Sequence, residues 1–333
     1  MCTPTRRNEG PLNVVVTGGA GYVGSVAARE LLCRGHRVTV LDSLMYGGRS
    51  LLGLYGEGFR FCYADIRDAD AVSAALVDAD AVVHLAAIVG DPACARQPEL
   101  ARQVNLGASL QLLDLCRRKR VRRLVFASTC SNYGRLPDPS RLATEDTALA
   151  PVSLYAESKV AVEKELLGGS HTAPPEVTVL RFATVFGLSP RPRFDLTVNE
   201  FTAELVTARK LVVFGEQFWR PYIHVRDVAR ALALAVESPA PKLPGEVFNV
   251  GDTGQNYQKR QIVELVSRHI GGQMDIQYVH RDEDPRDYRV CFDKIQSQLG
   301  FGITATVEDG IREIISALHH GVITDPQNPA YRN

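Results

Sequence analysis

Tyr155 and Lys159 lie four residues apart in the run Tyr155-Ala156-Glu157-Ser158-Lys159. On a helix that spacing projects both side chains from one face. A phenol beside an ammonium releases its proton more readily, so such a pair can exchange a proton with a carbinol while a nicotinamide exchanges the hydride. Far upstream, Thr17-Gly18-Gly19-Ala20-Gly21-Tyr22-Val23-Gly24 follows the apolar Val14-Val15-Val16 and leads into a helical pattern. That is the strand–turn–helix context a dinucleotide pyrophosphate needs. Gly18 permits the tight turn, Gly21 lets the backbone approach the pyrophosphate, and Gly24 lets the helix pack on the sheet. The diphosphate then meets the positive end of the helix dipole. The spacing is G-x-x-G-x-x-G, which an ordinary glycine-rich turn can also carry. Asp42 weighs against that bland reading: it ends the second strand, 18 residues past Gly24. A carboxylate there can accept both ribose hydroxyls and repel a 2′-phosphate, favouring NAD over NADP. A helix N-cap or a turn residue is the alternative for Asp42.

Short apolar segments and helical patterns alternate around these residues. Strands are expected at Asn13–Thr17, Arg37–Asp42, Phe59–Tyr63, Ala81–Leu85, Leu124–Ser128 and Val177–Arg181, and helices at Val23–Arg34, Glu99–Lys119 and from Tyr155. Such alternation implies right-handed βαβ crossovers and a parallel, doubly wound α/β sheet of the Rossmann type. After about residue 184 the texture changes, beginning with the Pro/Arg-rich loop Gly187–Arg193 and ending in a helix expected over Val307–His319. The expected organisation is a cofactor domain over residues 11–183, a smaller, partly interleaved α/β substrate lobe over 184–323, and a tail over 324–333.

Hydrophobic residues make up 45% of the 333 residues and charged residues 23%, enough for a substantial core without staples. The 38 basic and 38 acidic residues cancel, and the one short basic block, Arg117–Arg120, ends a helix, where positive charge complements the dipole. Nucleic acid is therefore not an expected partner. Seven cysteines, none in a Cys-x-x-Cys pair, point to reduced thiols and to neither a disulfide framework nor structural zinc. The first residues, Met1–Arg7, precede no apolar signal-peptide core, and no stretch reaches the ~20 apolar residues a span requires. A soluble, cytoplasmic, metal-free protein is expected.

Two more pairs extend the cofactor reading. Asp65-Ile66 follows the third strand and can pin an adenine between a carboxylate and an apolar side chain. His84-Leu85-Ala86-Ala87 ends the fourth strand, with small residues where backbone must pass close to a cofactor. His84 itself, inside an apolar strand, reads as structural. With Phe126–Gly134, Leu180-Arg181-Phe182, Arg220–Asp227 and Phe248-Asn249-Val250-Gly251, nearly the whole chain resembles the extended short-chain dehydrogenases/reductases. The resemblance is to the branch of NAD-dependent nucleotide-sugar epimerases and dehydratases. It implies cofactor contacts from Gly18, Gly21, Tyr22, Val23, Asp42, Ser43, Asp65, Ile66, Leu85, Ala86, Ala87, Ser128, Tyr155 and Lys159. It places Thr129 as the hydroxyl on the reacting sugar oxygen, Tyr155 as general base or acid, and Lys159 as its partner. The nucleotide-sugar contacts it implies are Arg220 and Arg286 on the diphosphate, Asn199 on the diphosphate or sugar, and Thr184 where many relatives have Asn. Asp227 is expected to cap the helix that follows it.

Two positions depart from the resemblance. Members that dehydrate a hexose carry Asp-Glu after the hydroxyl residue, and here those places read Cys130-Ser131. Dehydration loses support, leaving a nucleotide-sugar epimerase acting through a transient 4-keto sugar as the leading reading. Cys130 is either a catalytic acid/base, as in a C3/C5 epimerase or an unusual dehydratase or ketoreductase, or a buried structural thiol. A nucleotide-sensing protein with a dead site is the remote alternative. The family also implies a homodimer through the helix around Glu99–Lys119 and the Tyr155 helix.

Overall fold

The computed structural model describes residues 10–333 except 137, 139–140, 169–172, 240–242 and 285. The N-terminal residues Met1–Arg7 and Cys2 thus lie outside the described residues. The chain forms two compact units. The first comprises residues through Thr129, Ser153–Arg181 and Ala229–Phe248. The second comprises Cys130–Val152, Phe182–Val228 and Asn249–Asn333.

In the first unit short runs rich in apolar residues form β1 (Asn13–Thr17), β2 (Arg37–Asp42), β3 (Phe59–Tyr63), β4 (Ala81–His84), β5 (Arg123–Thr129) and β6 (Glu176–Phe182). Between them run α1 (Tyr22–Cys33), α2 (Ala69–Ala75), α3 (Asp91–Arg96), α4 (Pro98–Arg102), α5 (Ala108–Arg118) and α6 (Leu154–Leu167). The chain continues through β7 (Thr184–Phe186), α7 (Thr197–Thr207), β8 (Lys210–Phe214), β9 (Trp219–His224), α8 (Val225–Glu237) and β10 (Glu246–Val250). It ends with β11 (Asn256–Gln258), α9 (Lys259–Ile270), β12 (Asp275–Val279), α10 (Asp293–Leu299) and α11 (Val307–His319).

Among the described residues the large sheet has the order β10-β6-β5-β4-β1-β2-β3, with β3, β2, β1, β4 and β5 pairing in parallel. Strand order reverses direction between β1 and β4, and ligands bind such sheets at the strand C-termini beside that reversal. Because β10 pairs at the edge next to β6, residues 229–248 return to the first unit, while 130–152 leave it. A division at 183/184 therefore separates the main bodies of the units but not these exchanged segments.

The segment Glu99–Lys119, expected as one helix, is interrupted. A π-helical turn over Gln103–Gly107 separates α4 from α5. Such a turn inserts an extra residue, and it swings Asn105 into the core, where the side chain is 1% exposed. Its amide oxygen accepts from Ile88 N at 2.8 Å and its amide nitrogen donates to Ile88 O at 3.0 Å.

The second unit packs α7, α9 and α11 around Phe186, Val198, Tyr222, Ile262, Val266 and Ile311. Its strands form a three-stranded sheet, β11-β9-β7, and a two-stranded parallel pair, β12-β8. Asp227, expected to cap α8, accepts from Thr304 N at 2.9 Å, Ala305 N at 3.1 Å and Thr304 Oγ1 at 2.7 Å. Its carboxylate thus anchors the loop that leads into α11. Gly187, directly after β7, sits at φ +99°, and any Cβ there would run into the His224 ring. Gly187→Ala is expected to lower stability by about 2 kcal/mol or more, from left-handed strain plus overpacking. A urea titration of the variant against the wild type checks it.

Candidate active site

The turn after β1, Asp42 at the end of β2, the residues after β3, the turn after β4 and Ser128-Thr129 at the end of β5 all lie at the carboxyl edge of one parallel sheet. Gly18 has φ +71°, and a Cβ on it would stand 2.8 Å from Ala86 N, so the two turns meet backbone to backbone. A Cβ on Gly24 would strike the Gly18 carbonyl. Gly21 begins α1, and no side chain caps that helix and no acidic residue occupies its first turn. The amide-rich end is thereby kept for an anion. Tyr22 is buried, while Val23 and Ser43 are partly exposed.

Asp42 accepts from Ala20 N at 2.9 Å through Oδ2 and from Leu44 N at 2.8 Å through Oδ1. Burial pushes its carboxyl above the usual carboxylate range against those two donors. Each oxygen keeps a second lone pair, which suits a ribose diol. Asp65 is held differently. Arg67 binds both of its oxygens, at 2.7 Å and 3.0 Å, and keeps its carboxyl below the usual range. Ile66 is only 6% exposed and belongs to the core. The adenine contact expected of this pair would have to form beside an existing but solvent-exposed ion pair, which costs little to rearrange.

Ser153 caps α6, accepting from Ala156 N at 3.3 Å, and this start puts Tyr155, Lys159 and Glu163 in one line along the helix. Lys159 is 3% exposed; its Nζ donates to Ala127 O at 2.8 Å and lies 4.7 Å from the centre of the Phe126 ring. The same Nζ is 5.9 Å from the centre of the half-buried Tyr155 ring. Burial lowers the Lys159 proton affinity to about 8, opposed chiefly by the charge of Glu163. Since Ala127 precedes Ser128-Thr129, this one bond locks α6 to the strand end that carries Thr129. Ser128, Thr129, Tyr155 and Lys159 are thus brought together.

Ser128 carries a contact within the protein besides the one the resemblance implies. Its hydroxyl is buried and donates to Glu163, which also receives Arg181 Nη2 at 2.6 Å and Nε at 3.1 Å. The hydroxyl's hydrogen is committed to this network, where it helps to satisfy a buried carboxylate. Glu163 escaped the sequence reading, although its spacing of four from Lys159 would have put it on the reacting face. Asn105, displaced by the π turn, left no such signal.

Behind the strand ends, His84 is 2% exposed, with Nδ1 2.7 Å from Thr17 Oγ1 and Nε2 2.9 Å from Ser109 Oγ. Thr17 Oγ1 in turn accepts from Leu85 N and Ala86 N, each at 3.3 Å, which shapes the Leu85-Ala86-Ala87 turn. Burial, aided by the Lys159 charge, depresses the His84 proton affinity to about 3.

In the second unit, Arg220 donates to Asp284 at 2.7 Å and lies over the Tyr288 ring at 5.5 Å, while Arg286 Nε stands 3.6 Å from Asp284. The two arginines therefore converge on one carboxylate that the sequence reading overlooked. Lys259 adds a third cation nearby; burial and Arg220 lower its proton affinity. Trp219 carries the Arg289 guanidinium over its ring at 5.1 Å. Thr184 pairs in register with Tyr222. Asn199 is 1% exposed, and its amide is spent on Gly187 N, Gly187 O and Arg193 O. It braces the Pro/Arg-rich loop from within. Cys130 is likewise fully buried, with Sγ 3.9 Å from Asn249 Oδ1, which also accepts from Tyr133 Oη at 2.6 Å. That burial and carboxamide contact favour the structural-thiol alternative for Cys130.

The profile of the NAD dependent epimerase/dehydratase family matches residues 14–251. The chain belongs to this family. The UDP-glucose 4-epimerase of Lactobacillus helveticus is 31% identical over 87% of this chain and 92% of its own. The dTDP-glucose 4,6-dehydratase of Streptomyces niveus is 30% identical over 91% and 92%. Among solved structures, the UDP-glucose 4-epimerase of Thermus thermophilus in complex with NAD superposes with a TM-score of 0.79 at 30% identity, covering 92% of this chain and 99% of that one. As an epimerase/dehydratase of this family, the protein is an enzyme with NAD as its cofactor. The uncapped α1 terminus, the glycine cradle and the spare acceptors of Asp42 fit that group.

Two outcomes follow for this epimerase/dehydratase. Gly18→Ala would force Ala86 away from the turn, so NAD affinity measured by calorimetry should drop tenfold or more. His84 takes up protons more readily unfolded, near 6.5, than folded, near 3. Acid therefore favours unfolding, and stability should decline by roughly 1.4 kcal/mol per pH unit below 6.5. Urea midpoints across that range, compared with His84→Asn, should show the slope and its loss.

Proposed function

We propose that this family member is a soluble, cytoplasmic nucleotide-sugar 4-epimerase. The observation that carries the reading is a Thr129/Tyr155/Lys159 set built at one strand end, with no carboxylate at the two positions after Thr129. Tyr155 as phenolate removes the proton from the C4 hydroxyl, and Thr129 donates a hydrogen bond to the same oxygen. The buried Lys159 ammonium stabilises the phenolate charge, which is strongest where water is excluded. When bound, NAD supplies the acceptor for the C4 hydride and its source for the return. The 4-keto sugar then presents its opposite face, and Tyr155 gives the proton back.

Arg220 and Arg286 supply the guanidinium forks for a nucleotide diphosphate, and Thr184 approaches the sugar. Neither Cys130 nor Ser131 can replace the missing Asp-Glu pair: the thiol is buried and a serine is a poor base. The homodimer implied by the family belongs to the same proposal, with α5 and α6 as its faces, and light scattering would decide it.

Proton NMR in D2O with a panel of nucleotide sugars, without added cofactor, tests the reaction. An epimer at C4 free of solvent deuterium is the expected product. Deuterium beside the former ketone together with loss of water would replace this reading with a dehydratase. Tyr155→Phe should reduce kcat about a hundredfold or more while leaving NAD bound.

A further inference from the structure

Glu163 is the buried ionisable group of α6 that neither cofactor binding nor proton exchange uses. It is 1% exposed and stands one turn beyond Lys159 and two turns beyond Tyr155 on the same helix face. Its carboxylate is gripped by Arg181 from β6 and by the Ser128 hydroxyl from β5. Ser128 lies between Thr129 and Ala127, whose carbonyl accepts Lys159 Nζ at 2.8 Å. One carboxylate is therefore tied to the strand end that carries Thr129 and placed a turn from the ammonium. A buried ion pair adds little stability over well-packed apolar residues, so folding alone gives no reason for it here.

We propose that Glu163 is a positioning residue for the reacting pair: it supplies the negative charge that keeps Lys159 an ammonium, and through Ser128 it fixes the strand end presenting Thr129. The inference rests on the reading of Tyr155 and Lys159 as the proton-exchanging pair. Burial is the largest influence on Lys159 and drives its proton affinity down to about 8; Glu163 is the largest influence opposing it. The other ionisable groups around Lys159 are Cys94 of α3, His84 at the end of β4 and Tyr155 on α6, with Arg181 behind Glu163. His84 stays neutral above pH 4, and burial pushes the Cys94 thiol up. Glu163 is thus the nearest lasting negative charge among them. Without it the ammonium would be lost at lower pH, and Tyr155 would lose its partner there.

The test is a pH titration of Lys159 by NMR in lysine-labelled holoprotein, its signal assigned with Lys159→Arg. The wild type should titrate near 8. Glu163→Gln should titrate about one pH unit lower, a tenfold loss of proton affinity. Glu163→Asp, which keeps the charge, should stay near the wild type. The alkaline limb of the kcat–pH profile should move with the Lys159 midpoint, whereas a merely structural role would lower Tm and leave both unmoved. A folded Glu163→Gln protein with an unchanged Lys159 midpoint would overturn the proposal. Should that variant not fold, Glu163→Met/Arg181→Met removes the pair without leaving a lone buried charge, and it carries the same expectation and the same refutation. The titration needs no turnover, so inactivity on every sugar would sink the epimerase reading while the Lys159 midpoint still judged Glu163.

Discussion

An ammonium enclosed by protein is expensive unless its surroundings are arranged for it, and the first unit is organised around one. Lys159 gives its proton-bearing nitrogen to the Ala127 carbonyl, rests on the Phe126 ring and faces Glu163 along its own helix. The first two contacts tie α6 to β5 at one height, so that Tyr155 and Thr129 come to the same edge of the sheet. If the ammonium were free in water, the helix could slide or turn without penalty. Enclosed, it has one position, and the reacting hydroxyls inherit it.

A second layer of buried polar groups serves the neighbouring turn. Thr17, His84, Ser109 and Asn105 form a connected set behind the ends of β1 and β4, and their hydrogen bonds end on Leu85, Ala86 and Ile88 backbone. The glycines of the first turn need a backbone neighbour that does not move, because Gly18 packs directly on Ala86. The polar set provides it. His84 remains neutral because charging so deeply buried a ring, and then beside Lys159, would cost more than its hydrogen bonds return. Buried networks of this kind specify one arrangement when every member is satisfied.

The second unit follows another logic. There Arg220 is buried, its two terminal nitrogens donating to Trp219 O and Asp284 Oδ2 beside the Tyr288 ring. Arg286 stands on the same carboxylate with its side chain more exposed. Asn199 and Asp227 bind loop backbone. Departures from expectation within the unit therefore fall on residues whose polarity serves the protein's own chain.

The strands of the parallel sheet, the glycine turn, Asp42 and the Tyr155–Lys159 pair were legible in the residues themselves, because each depends on local rules: apolar runs, turn chemistry and helical spacing. The exact span of α11 was legible for the same reason, its capping Thr306 preceding an amphipathic run. The internal partners of Ser128, Asn199 and Cys130 were not, since a hydroxyl, an amide and a thiol look the same in sequence whatever they meet. Only the folded chain decides that, by what it packs against them. Glu163 with Arg181, Asp284 with Arg220, and Asn105 with Ile88 are partnerships across long stretches of chain. The sequence by itself determined which residues could do the chemistry; tertiary structure decided which of them are free to do it, because hydrogen-bond capacity is finite and burial spends it.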